Sequence, residues 1–265
     1  MKKILLFAVA LALPLLFSCK KDNKDAGSAS IPSGASFNTA ATYIANNIWA
    51  SFNGDNTFLA GTTPLKSLSW PENALYWGTY TYEEGTYTMF DDNDHKIGTL
   101  KVNGDNTVTL TINETPTTMD VTVTAPAAGD DNQRAASHTW KPESITIVYK
   151  SAAYNQTDGV DLNKFEEWAK TSTPVFANNM LMTKVIVSNA LVVFVFKNGQ
   201  TFAAKIPSGA SFANFSMTQL TVKGTEDLPI FQGTASISFS NGKCLISVNG
   251  QYEGESASAV LTLSL

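Results

Sequence analysis

Alternating apolar and polar residues predict a three-stranded antiparallel meander in the last stretch of the chain, residues 229–265. A tight turn at Asn241-Gly242 joins the first two strands, and a second tight turn at Gly254-Glu255 joins the last two. With these turns, apolar residues and glycines face one side of the sheet, and mostly polar residues face the other. A slip of one residue would turn the apolar set toward water, so the pattern defines the register. The resulting pairs place Ile246 between Ile237 and Leu263.

The second half of the chain contains five further candidate strands and one short helix before this meander. The helix spans Asp161 to Lys170 and begins at a capping residue, Asp161. A turn at Asn198-Gly199 pairs Val193 with Ala204 across two of the strands. Eight meandering strands with one helix are typical of a small closed up-and-down barrel, and closure removes exposed strand edges. The eight predicted strands are 144–149, 183–187, 191–196, 201–206, 217–222, 230–239, 244–252 and 257–265.

The first half begins with an apolar pattern at helical spacing. Residues 38–52 carry six apolar side chains that would share one helix face: Ala41, Ile44, Ala45, Ile48, Trp49 and Phe52. From Leu75 to Ala125 the period changes to two, and the pattern predicts threonine-rich, half-exposed strands. A turn at Glu84-Gly85 pairs Tyr82 with Tyr87. This half is therefore predicted to be one helix followed by a β-meander.

A linker composition separates the two halves. The segment 125–137 is rich in Ala, Asp, Gly and Pro and has little to bury. We therefore predict an N-terminal domain at 38–128, a linker at 129–137 and a C-terminal domain at 138–265. The predicted fold class is all-β: a C-terminal eight-stranded up-and-down barrel preceded by a smaller β-meander domain with one N-terminal helix.

The start of the chain resembles a bacterial lipoprotein signal. Two lysines precede an apolar run from Ile4 to Phe17 that is too short to span a bilayer. Leu16-Phe17-Ser18-Cys19 resembles the lipobox of Gram-negative bacterial lipoproteins. The resemblance implies that residues 1–18 are a signal peptide, that Cys19 is lipidated, and that residues 19–37 form a tether. Lys20 rather than Asp follows the cysteine, which in such lipoproteins implies an anchor in the outer membrane.

The charge balance argues against two classes of partner. The chain has 18 basic and 23 acidic residues, a formal net charge of −5. An acidic protein is a poor fit to nucleic acid or to anionic lipid surfaces, so we expect contact with the membrane only through the lipid anchor. With Cys19 lipidated, Cys244 has no partner for a disulfide, and its place on the apolar face of the meander predicts a buried, unreactive thiol.

Residues 137–265 resemble the lipocalin-like (calycin-like) barrels found in many bacterial envelope lipoproteins. The features that carry the resemblance are Trp140 just before the first strand, the helix Asp161 to Lys170 between the first and second strands, and the terminal meander. Lipocalins usually have Gly where this chain has His138, and they end in a helix where this chain ends in a strand. The resemblance implies an apolar barrel interior that binds a small hydrophobic molecule through its open end.

No motif in the sequence indicates catalysis or a metal site. The two histidines, His95 and His138, fall in different predicted domains, and we expect each to lie in a solvated loop. The sequence has no nucleophile elbow, zinc-protease motif or phosphate-binding glycine loop. Asp91-Asp92-Asn93-Asp94 lacks the glycine and the glutamate that a calcium loop needs, so a polar hairpin loop is the better interpretation. We therefore predict a protein that is not an enzyme and that has no cofactor or metal.

Aromatic residues are dense near the start of the first meander: Trp70, Tyr76, Trp77, Tyr80, Tyr82 and Tyr87. Exposed rings beside polar groups stack on sugars, so these six residues are candidate ligand-binding residues for a glycan. Alternatively, one face of these strands is the core of the first domain, and then Trp77 and Phe90 are exposed. A third hypothesis is a structural role in an envelope complex. A small apolar ligand in the barrel is the leading expectation, and the sequence leaves the oligomeric state open.

Overall fold

The computed structural model describes residues 41–45, 48–62, 69–70, 75–103, 107–112, 114–124, 133, 136–169, 179–207, 210–222, 232–252 and 254–265. Over these residues the chain is all-β, with two curled antiparallel sheets and a short helix. The predicted signal peptide (1–18), the lipidation site Cys19 and the tether (19–37) lie outside the described residues.

The first sheet curls so far that a single residue joins the strands at its two edges. Its strand order is β10-β1-β2-β3-β5-β6-β7-β8-β9. Only Val121 separates β9, which pairs with β8, from β10, which pairs with β1. Antiparallel strands from Leu75 onward, including the pair Tyr82 with Tyr87, are as predicted. The strands of this half are β1 (Ala41–Ala45), β2 (Ile48–Phe52), β3 (Thr57–Gly61), β4 (Ser69–Trp70), β5 (Leu75–Glu83), β6 (Thr86–Phe90), β7 (Lys96–Val102), β8 (Thr107–Ile112), β9 (Thr115–Asp120) and β10 (Thr122–Thr124).

The predicted helix at 38–52 is wrong over its described part, where β1 and β2 form an antiparallel hairpin. These strands are buried on both faces. Tyr43 and Phe52 point into the curled sheet, whereas Trp49, on the opposite face, lies in a cluster shared with the second sheet. A strand buried on both faces loses its alternation of apolar and polar residues, so its apolar positions matched a helical period by chance.

The second sheet forms a nearly closed eight-stranded antiparallel barrel. β11 pairs with β20 on one side and with β14 on the other, which brings the ends of the sheet together. All eight strands predicted for this half are present in this ring. The elements are β11 (Thr139–Tyr149), β12 (Ala152–Gln156), β13 (Val160–Asp161), α1 (Leu162–Ala169), β14 (Leu181–Val187), β15 (Leu191–Phe196), β16 (Thr201–Lys205), β17 (Phe215–Val222), β18 (Gln232–Ser240), β19 (Lys243–Tyr252) and β20 (Glu255–Ser264).

Side chains hold the two pieces that the strand prediction missed, β12 and β13. The Gln156 side chain donates to the carbonyl of Asp161 at 2.7 Å and accepts from its amide at 2.8 Å, as a neighbouring strand would. Asp161 also caps α1 as predicted, because its carboxylate accepts from the amide of Asn163 at 3.1 Å. These contacts hold the connection from β11 to β14 at Asp161.

The terminal meander has the predicted faces, with one change of register. Ile237 pairs with Ile246 as predicted, but Ile246 pairs with Leu261 rather than Leu263. Tyr252 pairs with Glu255, so the tight turn is one residue earlier than predicted and has Gly254 in its second position, at φ 79°. A shift of two residues keeps every side chain on its predicted face, because the side-chain period of a strand is two.

The two curled sheets pack against each other through their outer faces. Trp49 and Leu59 of the first sheet share a buried cluster with Ile186, Leu191 and Val193 of the barrel. β4 of the first half also pairs in parallel with β17 of the second. The first half therefore contributes both a buried surface and a short strand to the barrel.

The described residues of the predicted linker, 129–137, are buried. They are Gln133, Ala136 and Ser137. The Trp140 indole donates to the carbonyl of Ala136 at 2.9 Å, and the Ser137 hydroxyl donates to the carbonyl of Gln133 at 2.8 Å. Composition suggested an exposed segment, but small residues such as Ala and Ser also pack closely beneath a large ring.

Candidate ligand-binding site

One end of the barrel interior is filled. Trp140, Ile237, Cys244 and Leu263 point inward there and are at most 1% exposed. Phe212, from the loop before β17, is also fully buried against them. Side chains without accessible surface border no void large enough for water, so this end has no room for a ligand. Burial raises the pKa of the Cys244 thiol to about 12, so the thiol stays protonated near neutral pH and is unreactive, as predicted.

The opposite end of the interior is lined by small residues. Gly233, Gly250 and Ala257 stand side by side on β18, β19 and β20, and Tyr149 continues the row on β11. The next row inward has the same register and consists of Ala235, Val248, Ala259 and Ile147. Of these eight residues only Ala235 is buried among those whose side chains are described. We name these two rows the open end.

The path of the backbone requires a small residue at one position of the open end. A Cβ atom on Gly233 would lie 2.1 Å from the carbonyl oxygen of Asn249, so the strand can pass this point only with glycine. Such close approach is typical of a bend at a barrel corner. The backbone of Asn249 therefore leaves room only for glycine at position 233 of this row.

An aromatic pair contributes to the apolar interior on another part of the barrel wall. Phe194 of β15 and Phe202 of β16 stand opposite each other with ring centroids 5.8 Å apart. Both are partly exposed and pack on the barrel core, as does Leu162 of α1. The arrangement can enclose an apolar group between aliphatic and aromatic walls.

Charged groups lie at the rim of the open end. Lys150 and Ser151 form the tight turn from β11 to β12, with φ of 49° and 65°. The Lys150 ammonium lies 5.1 Å from the centre of the Tyr149 ring and 3.8 Å from the Glu255 carboxylate. An apolar interior with a polar rim is the usual form of a small-molecule site.

The structure separates the six aromatic residues that the sequence analysis grouped. Tyr80 and Tyr87 lie in the core of the first sheet, 3% and 4% exposed. Tyr76 packs partly on the same core, and Tyr82 is 44% exposed with its ring 4.6 Å from that of Tyr87. Trp77 faces the other way, as does Phe90, and both are only partly exposed. The Trp70 backbone lies in β4, and its side chain is outside the described part of the structure.

Hydrogen bonds tie the two core tyrosines to the interior. The hydroxyls of Tyr43 and Tyr87 are 2.9 Å apart, and the Tyr80 hydroxyl donates to the carbonyl of Asn53 at 2.7 Å. The Tyr87 ring stacks on Phe52 with a centroid distance of 3.9 Å. Burial raises the pKa of Tyr87 well above its ordinary value. Sugars would reach Tyr82 directly, whereas Tyr80 and Tyr87 are covered.

The two histidines have different environments. His95 is exposed beside Asp91, as expected, with 3.4 Å between Nδ1 and a carboxylate oxygen. His138 is buried, contrary to the prediction, and its Nδ1 lies 2.6 Å from the Asp55 carboxylate in the turn between β2 and β3. The amide of Thr139 donates to the same carboxylate at 2.8 Å. These contacts join the first sheet to the start of β11.

Two general observations complete the description of the site. Among the described side chains, no three of the His, Cys, Asp and Glu type come together in a group that could hold a metal ion. No helix in the described ranges is long and apolar enough to cross a membrane.

Comparison of the sequence with models of protein families and with curated proteins finds no match.

The sequence itself contains a signal for the open end. The alternation identified the inward residues of β18, β19 and β20 but did not grade them by size. Ile237, Ile246 and Leu261 occupy inward positions in the middle of the three strands, and Gly233, Gly250 and Ala257 occupy those four residues farther along, before the aromatic residues Phe231 and Tyr252. A gradient of side-chain volume along three neighbouring strands indicates which end of a barrel has space.

Proposed function

We propose that this protein is a non-catalytic outer-membrane lipoprotein whose lipocalin-like barrel binds a small apolar ligand at its open end. Cys19 carries the lipid anchor in this proposal, and the domains at 38–128 and 138–265 lie beyond the tether. The observation that carries the proposal is the pair of partly exposed rows of Gly, Ala and short aliphatic residues inside the barrel. Since the other end is filled, the ligand is a compact molecule that occupies only the open end.

Apolar burial is the source of affinity in this proposal. Each methylene group that leaves water on binding contributes about 0.8 kcal/mol. The rim charges at Lys150 and Glu255 remain close to water and mainly affect the orientation of the ligand. No catalytic group is needed, because the open end presents only aliphatic and aromatic side chains and a peptide backbone.

Native mass spectrometry of protein purified from its own host tests this proposal. The Cys19→Ala variant lacks the lipid anchor and can be purified without detergent. This matters because detergent would compete for an apolar site. We expect an added mass of a small molecule that is lost on denaturation and that partitions into organic solvent. If the protein has only the mass of its chain, or carries a water-soluble ligand, the proposed function is wrong.

A further inference from the structure

The outer face of the first sheet carries threonine in register across several strands. On this face Thr81, Thr88, Thr99 and Thr111 are successive cross-strand neighbours from β5 to β8. A parallel row contains Glu83, Thr86, Lys101, Thr109 and Thr118, from β5 to β9. The high β-propensity of threonine explains why this residue is common on exposed strands. It does not explain the space that the two rows border on this face.

A cleft of about 630 Å³ opens where these two rows cross β5, β6 and β7. Its lining residues are Thr81, Glu83, Glu84, Thr86, Thr88 and Lys101. Glu83 and Lys101 are both direct neighbours of Thr86, on opposite sides. Since adjacent strands are about 4.8 Å apart, the backbones at Glu83 and Lys101 are separated by roughly 10 Å. The cleft thus has a carboxylate wall, an ammonium wall and threonine hydroxyls between them.

The side chains of the cleft form no hydrogen bond or ion pair with any described residue. The same face shows the contrast farther along. There the hydroxyls of Thr109 and Thr118 are 3.0 Å apart, and Asn103 donates to Thr109 at 3.1 Å. No described residue competes for the side chains of the cleft, whereas the hydroxyls beside β9 already satisfy one another.

We propose that this cleft binds a saccharide. Each threonine hydroxyl both donates and accepts, as does each sugar hydroxyl, so the two surfaces are chemically matched. Glu83 and Glu84 accept from sugar hydroxyls and Lys101 donates to them, in the stronger hydrogen bonds that charged groups form. The two carboxylates disfavour an anionic ligand. The site uses none of the six aromatic residues grouped from the sequence and is independent of the barrel ligand.

Titration of the full-length protein with neutral methyl glycosides, followed by NMR, tests the proposal. The probes are the methyl glycosides of glucose, galactose, mannose and N-acetylglucosamine, with glycine as a zwitterionic control. We expect saturable binding of at least one glycoside. Lys101→Met should weaken it about tenfold or more, and Thr88→Val about fivefold, because each removes a hydrogen bond without changing the shape of the strand face.

Thr111→Val is the matched control, since Thr111 lies in the same row as Thr88 but outside the cleft. It should leave glycoside binding within about twofold of wild type. Thermal unfolding of each variant shows whether the fold is intact. The proposal is overturned if no glycoside binds, if Thr88→Val and Thr111→Val have equal effects, or if glycine binds more tightly than every glycoside.

Discussion

Ile246 shows most directly how a single residue depends on the register of the meander. Its side chain is 3% exposed and lies between Ile237 and Leu261. Ser247, the next residue, is partly exposed on the opposite face. Ile246 and its neighbours Ile237 and Leu261 are all at most 5% exposed, so a truncated side chain at this position would leave a cavity.

Ile246→Ala should therefore lower the free energy of unfolding by about 2–5 kcal/mol, and Ser247→Ala by less than about 0.5 kcal/mol. Denaturant titrations of the two variants and wild type provide the measurement. Similar losses at the two positions would mean that the faces of β19 are assigned incorrectly.

At the scale of elements, the turn between β2 and β3 contacts the start of β11 through Asp55 and His138. Burial by itself raises the pKa of the Asp55 carboxyl, but the His138 hydrogen bond and charge, with the donors Thr57 and Thr139, hold that pKa below its ordinary value. A carboxyl whose pKa is lowered by folding adds stability above its unfolded pKa. That stability is lost as the pH falls through the folded value.

Asp55→Asn should destabilise the protein by about 3 kcal/mol or more at pH 7, because it leaves His138 without its carboxylate partner. The difference from wild type should shrink as the pH falls from the ordinary Asp value of about 3.9, where the unfolded chain binds the proton, through the lower pKa of folded Asp55, where the native carboxyl binds it too. Unfolding free energies measured from pH 7 downward provide the test, with the exposed Asp120→Asn as control. A difference that does not change with pH would show that the carboxylate charge has no role in this contact.

Most of the elements that could be predicted from sequence have one solvated face. The terminal meander and the strands after Leu75 alternate, and the faces of β18, β19 and β20 are right even where the register is shifted by two. β15 is an exception, because it was predicted as a strand although Val192 lies in the barrel core and Val193 packs against the first sheet. β1 and β2 could not be predicted, because Trp49 and Phe52 are buried on opposite faces and no alternation remains. Which faces a partner sheet covers is a property of the tertiary structure and is not written in the local pattern.

Turn geometry was a second source of error. At Asn241-Gly242 both residues have positive φ, 52° and 74°, and the tight two-residue turn is as predicted. At Asn198-Gly199 only Gly199 has positive φ, at 85°, and the loop closes between Phe196 and Gln200. Val193 therefore pairs with Ala203 rather than Ala204. The same dipeptide suits both a two-residue turn and a turn followed by a bulge, so local sequence does not decide the register.

The candidate site could also be predicted only in part from the sequence. The sequence indicated a barrel interior, because the inward positions of the terminal meander are apolar or glycine. It did not show that Trp140 and Phe212 fill one end, since Phe212 comes from a loop without periodicity. The sequence left two alternatives for Tyr80 and Tyr87, a core or a glycan-binding surface. The choice between them required knowledge of the sheet curvature, which local patterns do not contain.

At the scale of the whole molecule, the proposed lipidation of Cys19 predicts where the protein is found in the cell. In this proposal Cys19→Ala removes the acylated side chain and leaves only a cleavable signal to associate the chain with membranes. We expect the variant in the soluble periplasmic fraction and the wild type in the outer-membrane fraction with an added lipid mass. Membrane sedimentation of the variant, together with a wild type that lacks lipid, would contradict the lipoprotein proposal.

The binding of an apolar fluorescent probe to variants of β20 tests the central claim most directly. Ala259→Leu fills the open end, whereas Val260→Leu adds one methylene on the outer face of the same strand, where Val260 is 38% exposed. We predict that wild type and Val260→Leu bind the probe equally and that Ala259→Leu weakens binding at least tenfold, with all three proteins folded. Equal binding by the three proteins, or no binding by wild type, would contradict a ligand site at the open end.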